Sequence, residues 1–157
     1  MKKRIMTLWM LIVITVLVSS CNSHNKNVLH NEAIGRQYIE AWNNYDSVKV
    51  ASLFAENFKY EDIAFDFVVT GTRDTLTRFV HSTLLAIPDS HFDITSIVAN
   101  DSITVVEWMW KGTVPKAWFP NDSTSKKFFS ARGVSLMEIH NGLIKRISDY
   151  YNPGSIH

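Results

Sequence analysis

The 157-residue chain holds one cysteine, Cys21, so no intramolecular disulfide can brace it. It has no G-x-S-x-G elbow, no phosphate-cradling glycine loop and no cysteine partnered by histidine, which argues against acyl-enzyme and nucleotide chemistry. Runs of like charge and basic patches interleaved with aromatics are missing too, and with them the footprint of a nucleic-acid partner. Histidines 24, 30, 81, 91, 140 and 157 are scattered without ligand-like spacing, so no metal site is expected. Internal repeats and low-complexity segments do not occur. The longest apolar run, "IMTLWMLIVITVLV", has 14 residues, short of the roughly 20 that a helix needs to cross a bilayer.

That run is preceded by Lys2, Lys3 and Arg4 and followed by Ser19, Ser20 and Cys21, the layout of a secretory signal. With Cys21 placed where a peptidase would cut, the segment resembles the lipobox of a bacterial lipoprotein. The resemblance implies a signal peptide over residues 1–20, a lipid on Cys21, and a location in the cell envelope with the membrane as partner. An uncleaved anchor is the alternative. Without its three leading cations the chain has 13 basic against 15 acidic residues, near −2, which disfavours polyanions. Residues 21–30 are polar and asparagine-rich and read as a tether. Residues 31–157 then form one domain, since 46% hydrophobic residues in a chain this short suit a single core.

In that domain Ile34, Tyr38, Ala41, Trp42 and Tyr45 recur at helical spacing, and "SVKVASLFA" predicts a second helix capped by Asp46. "NFKYEDIAFDFVVTG" reads as one or two short strands, and "RDTLTRFVHSTLLAI" as a third helix halted by Pro88. Four β-rich runs follow: "HFDITSIVA", "ITVVEWMWKGTV", "KKFFSARGVSLMEI" and "LIKRISDYY". The turn signals Asn100-Asp101 and Asn141-Gly142 make their neighbours antiparallel. Helices packed on one face of a bent antiparallel sheet give an α+β domain.

The last run places Asp149 among apolar and aromatic residues. A two-residue type I′ turn at Asn141-Gly142 pairs Glu138 with Lys145, Leu136 with Ile147, Val134 with Asp149 and Arg132 with Tyr151. Asp149 then sits half-buried on an apolar face with Arg132 on the diagonal. Desolvation would raise its pKa and Arg132 would lower it. From these residues alone Asp149 is either a usable acid/base or a structural partner of Arg132.

The series "YIEAWNNYDSVKVASLFAENFKYED", "PDSHFDI", "VVEWMWKGT" and "GLIKRISDYY" resembles the SnoaL-like polyketide and ester cyclase group of the nuclear transport factor 2-like superfamily, over roughly residues 30 to 152. The resemblance implies a cone-shaped fold, three N-terminal helices enclosing a pocket against a strongly bent antiparallel sheet. It also implies that Asp149, seven residues after Gly142, acts as a general acid/base without a cofactor, moving a proton at a carbon next to a carbonyl. Such cyclases add a pocket histidine, and the preceding strand here offers Arg132 and Ser135 instead.

Other candidates surround this one. A second two-residue turn at Asn100-Asp101 would pair His91 with Trp110 and Asp93 with Trp108, on a face that lines either a pocket or a dimer contact. Alternation along the first strand sends Tyr60 and Asp62 to one face and Glu61 to the other, so Asp62 could join Asp149. Tyr38 and Trp42 lie one helical turn apart, and Trp118 and Phe119 occupy a long loop where packing explains aromatics less well. Three readings stay open: a cofactor-free cyclase, isomerase or hydrolase for a small apolar or carbonyl-containing ligand, a binding module without chemistry, and a homodimeric scaffold marked by exposed Trp108 and Trp110.

Overall fold

The computed structural model describes residues 26–115 and 126–152. Helix α1 covers residues 26–43, so residues 26–30, expected in the tether, are its first turns. Ile34, Tyr38, Ile39, Ala41 and Trp42 form its buried stripe. Gly35 lets it lie close on the sheet: a Cβ there would stand 2.8 Å from methyls of both Thr104 and Val106. Asn31 fastens the helix by donating from Nδ2 to the Asn100 carbonyl at 2.8 Å and accepting from Thr104 Oγ1 at 3.0 Å. The helix stops where Tyr45 takes a φ of 58°, and Asp46 then caps α2 (Ser47–Ser52) by accepting from the Lys49 N–H at 2.8 Å. Tyr45, expected on the helical stripe, lies outside the helix, with its hydroxyl on the carbonyls of Pro88 and Ser90.

Strands β1 (Phe54–Asp62) and β2 (Phe67–Gly71) form a hairpin, α3 (Arg73–Ala86) ends just before Ile87 and Pro88, and four strands complete the domain: β3 (His91–Ala99), β4 (Ile103–Pro115), β5 (Lys126–His140) and β6 (Leu143–Tyr151). They form one curved six-stranded sheet in the order β2-β1-β6-β5-β4-β3. It is mixed rather than antiparallel, because β1 runs parallel to β6 and every other pairing is antiparallel. The core lies between the helices and one face of the sheet, around Phe54, Phe58, Leu76, Trp108, Met137, Ile144 and Ile147.

Both expected registers are corrected. The Asn141-Gly142 turn does pair His140 with Leu143 and Ile139 with Ile144, but Lys145 is then bulged out and Arg146 stands opposite Glu138. Arg146 holds that place with bonds to Glu138 Oε1 at 3.0 Å and Glu61 Oε2 at 2.5 Å, while Lys145 Nζ donates to the Asn57 carbonyl at 2.6 Å. Beyond the bulge every pair moves by one: Met137 faces Ile147, Ser135 faces Asp149 and Gly133 faces Tyr151. Val134 is therefore the neighbour of Tyr150, not of Asp149. At the other hairpin, Asn100 Oδ1 accepts from the N–H groups of Ser102 and Ile103, lengthening the turn so that Ala99 pairs with Thr104. That turn alone moves each pair by two and keeps His91 on the Trp110 face; a bulge between Ile94 and Ser96 takes one residue back, so that Phe92 and not His91 comes beside Trp110.

Candidate active site

Strand alternation and the β6 bulge turn Asp149, Ser135, Tyr60 and Trp108 toward the helices. There they help enclose a cavity of about 470 Å³, the wall of which also includes Tyr38, Trp42, Asp62, Phe79, Phe92, Trp110 and Tyr151. Ten of its fifteen lining residues are aromatic, so the space favours flat apolar matter. Phe92 stacks parallel on Trp110 with ring centres 5.5 Å apart and meets Trp108 edge-on at 5.3 Å.

Asp149 is 7% exposed and has neutral donors on both oxygens: Tyr60 Oη at 2.8 Å on Oδ2 and Ser135 Oγ at 2.5 Å on Oδ1. Trp108 Nε1 donates in turn to Ser135 Oγ at 2.9 Å. Burial pushes the Asp149 carboxyl up from 3.8 to about 6; the bonds from Ser135 and Tyr60 restrain the rise, and the neighbouring Asp62 charge adds to it. Asp62 is the register partner of Asp149 on β1. Its Oδ2 accepts from Tyr151 Oη at 2.7 Å and its Oδ1 from the Phe65 N–H at 3.2 Å, and burial outweighs these bonds to raise its pKa as well. The phenols of Tyr38 and Tyr60 are raised by burial first and by Asp149 second, and that of Tyr151 by burial and then Asp62, so all three remain protonated donors at neutral pH. Trp42 Nε1 faces the Tyr38 phenol, which it weakly acidifies, without reaching hydrogen-bonding geometry. It is the one buried side-chain polar atom without a partner among the described residues.

Of the residues singled out in the sequence, Tyr38, Trp42, Tyr60, Asp62, Trp108, Trp110 and Asp149 come together in this wall. Trp108 and Trp110 are 2% and 7% exposed, so they form no open face for a second subunit. Arg132 does not line the cavity. It stands on the opposite face of β5, where its Nε donates to Glu107 Oε1 at 2.6 Å, because the bulge reversed the face assigned to it. His91 is also outside, exposed and 3.3 Å from Asp93, because the bulge between Ile94 and Ser96 turned Phe92 to the face assigned to it. Cys21, Trp118 and Phe119 lie outside the described residues. Glu61 points away from Tyr60 and Asp62, as alternation requires, and Lys59 and Arg146 hold its carboxyl down at about 2.

Further lining residues are marked by simple periodicity in the chain. Tyr151, two residues beyond Asp149, shares its face by simple alternation, and Phe79 and Thr83 lie one turn apart on α3. Ser135 and Phe92 were hidden by the bulges in β6 and β3. No cluster of metal-ligating side chains occurs among the described residues.

Residues 35–147 match the SnoaL-like domain family. The chain belongs to that family. No curated protein sequence matches it. Among solved structures it is similar to a hypothetical protein with a ketosteroid isomerase-like fold from Catenulispora acidiphila, in complex with trimethylamine. The identity is 22% and the TM-score 0.67, over 78% of this chain and 88% of that one. A Shewanella denitrificans protein proposed to be a SnoaL-like polyketide cyclase gives 12% identity and a TM-score of 0.69, over 80% of this chain and 92% of that one. A phenazine biosynthesis-related protein from Pseudomonas aeruginosa gives 19% and 0.64, over 81% and 84%. At these identities the likeness establishes a shared fold.

Proposed function

We propose that this SnoaL-like domain takes a small apolar, carbonyl-bearing molecule into its cavity and moves a proton on it with Asp149 as general acid/base, without a cofactor. The observation that carries this reading is the state of Asp149. It is a carboxylate in an aromatic wall, brought by burial to about 6, with two neutral donors fixing its orientation. A base with a pKa near neutrality is deprotonated often enough to take a proton from carbon and basic enough to do so usefully. Tyr38, kept protonated by the same burial, can stabilise the oxyanion that forms as the proton leaves, while Tyr60 keeps its hydrogen on Asp149. Cyclisation, isomerisation and hydrolysis all draw on such a group. A neighbour's complex with a small amine supports small-molecule binding by this fold.

The decisive experiment follows hydrogen exchange at the α-carbon of a ketone such as 2-tetralone in D₂O, with wild-type protein and Asp149→Asn. Removing the base should cut protein-dependent exchange by about 10²-fold or more. Exchange that is equally fast in the variant rules Asp149 out as the base.

We also propose that the domain lies in the cell envelope, tethered to a bacterial membrane through a lipid on Cys21; the signal layout of residues 1–21 supports this. Cys21→Ser should release the protein from the membrane fraction. An uncleaved variant that stays there would mean that the apolar run is an anchor.

A further inference from the structure

The cavity carries a charge imbalance that proton transfer leaves unused. Asp62 and Asp149 line it, and among the described residues no lysine, arginine or histidine does. The hydrogen bonds these carboxylates accept come from uncharged groups: Tyr151 and the Phe65 N–H on Asp62, Tyr60 and Ser135 on Asp149. The sheet is not short of cations, since Glu61 has Lys59 and Arg146, Asp93 has Lys111 and Glu107 has Arg132. All of those cations stand outside the cavity.

Carboxylates removed from water without a counter-charge are costly, and the parallel register that makes Asp62 and Asp149 direct partners adds their repulsion. Aromatic ring faces present negative potential, so the tryptophans reinforce the bias.

We propose that the cavity is built for a lipophilic ammonium, a protonated amine or quaternary nitrogen held against the carboxylates of Asp62 and Asp149 and the ring faces of Trp108 and Trp110. This names the substrate class of the proposed site and rests on the cavity being that site. The cation supplies the missing counter-charge, and its alkyl groups fill aromatic space. Molecules bearing a carboxylate or phosphate are turned away, because the only full charges in the described wall have their sign.

The test compares benzyltrimethylammonium with its uncharged isostere neopentylbenzene and with phenylacetate, by calorimetry and tryptophan fluorescence on the purified protein. The ammonium should bind at least ten-fold tighter than the isostere, and phenylacetate should bind more weakly than both. Asp62→Asn keeps an acceptor for Tyr151. It should remove most of the ammonium's advantage while leaving isostere binding intact, which also reports that the variant is folded. The advantage should shrink between pH 8 and pH 5 as Asp149 takes up its proton beside Asp62, Tyr38, Tyr60 and Tyr151. Equal affinity for the two isosteres overturns the charge preference, and if tetralone exchange still depends on Asp149 the proton-transfer reading survives. If none of the probes binds, the inference is overturned, and failure of the exchange experiment as well removes the reading beneath it.

Discussion

Ser135 Oγ donates to Asp149 Oδ1 at 2.5 Å while accepting the indole N–H of Trp108 at 2.9 Å. A hydroxyl has one hydrogen to give. With Trp108 donating to it, Ser135 spends that hydrogen on Asp149 and so favours the charged carboxylate. The bond opposes the burial that raises the pKa, and the balance is what leaves the group near neutrality.

Ser135→Ala should therefore push the Asp149 pKa above about 6, as followed by NMR titration of the carboxyl carbon. It also leaves Trp108 Nε1 buried without an acceptor, at a cost of about 1–3 kcal/mol in stability. A titration that is unmoved or falls would mean that Ser135 does not act on the charged form.

Arg132 provides the contrast. Its guanidinium is on the far face of β5, paired with Glu107 and largely exposed. Arg132→Ala should cost less than about 1 kcal/mol and leave the Asp149 titration where it is. A shift in that titration would bring back the diagonal contact that the two-residue turn suggested.

The contrast also shows which part of the site was legible in the chain. Element types and order follow from periodicity and breakers: the stripe from Ile34 to Trp42, the Asp46 cap, Pro88 after α3. Alternation on β1 suffices to separate Tyr60 and Asp62 from Glu61. The neighbours of Asp149 were not legible, because they depend on which of two adjacent cations stands opposite Glu138. Lys145 and Arg146 both offer an opposite charge, and the choice falls to Arg146 because Glu61, distant in sequence, gives it a second partner while Asn57 takes Lys145. One tertiary contact thereby exchanges Val134 and Arg132 for Ser135 and Gly133 along one side of the site. His91 was misplaced by a bulge between Ile94 and Ser96 that turns it off the Trp110 face; the Asn100 side chain, bonding forward to Ser102 and Ile103, shifts the register by two and leaves the face unchanged.

Gly133 matters because Trp108 lies across it: a Cβ at that position would come within 2.2 Å of the indole ring. Gly133→Ala should force the ring off Ser135 and cost about 1–3 kcal/mol, the usual range for overpacking. The displaced indole should appear as a red shift in tryptophan emission. Wild-type emission and stability in the variant would show that the sheet yields instead of the ring.

The dependence of stability on pH follows from the same carboxylates. Asp149 has a folded pKa of about 6 against an ordinary 3.8, so the native state binds its proton more tightly than the unfolded chain. Its stabilising contribution is complete below about 3.8 and is withdrawn as the pH rises through about 6. A two-unit shift corresponds to about 3 kcal/mol at full ionisation. Asp62, also raised by burial, acts in the same sense. Glu61 acts oppositely: held at about 2 chiefly by Lys59 and then Arg146, it stabilises the fold above the ordinary carboxylate range and loses that contribution as the pH falls toward 2. Asp149→Asn removes the first effect and leaves the others. In urea unfolding, the variant should match wild type near pH 4 and exceed it by about 2–3 kcal/mol at pH 7.5, with the curves parting between pH 4 and pH 6. Curves that stay parallel across that window would mean that Asp149 does not pay for its burial, and a variant less stable at pH 7.5 would make the charged carboxylate a structural partner instead of a strained acid.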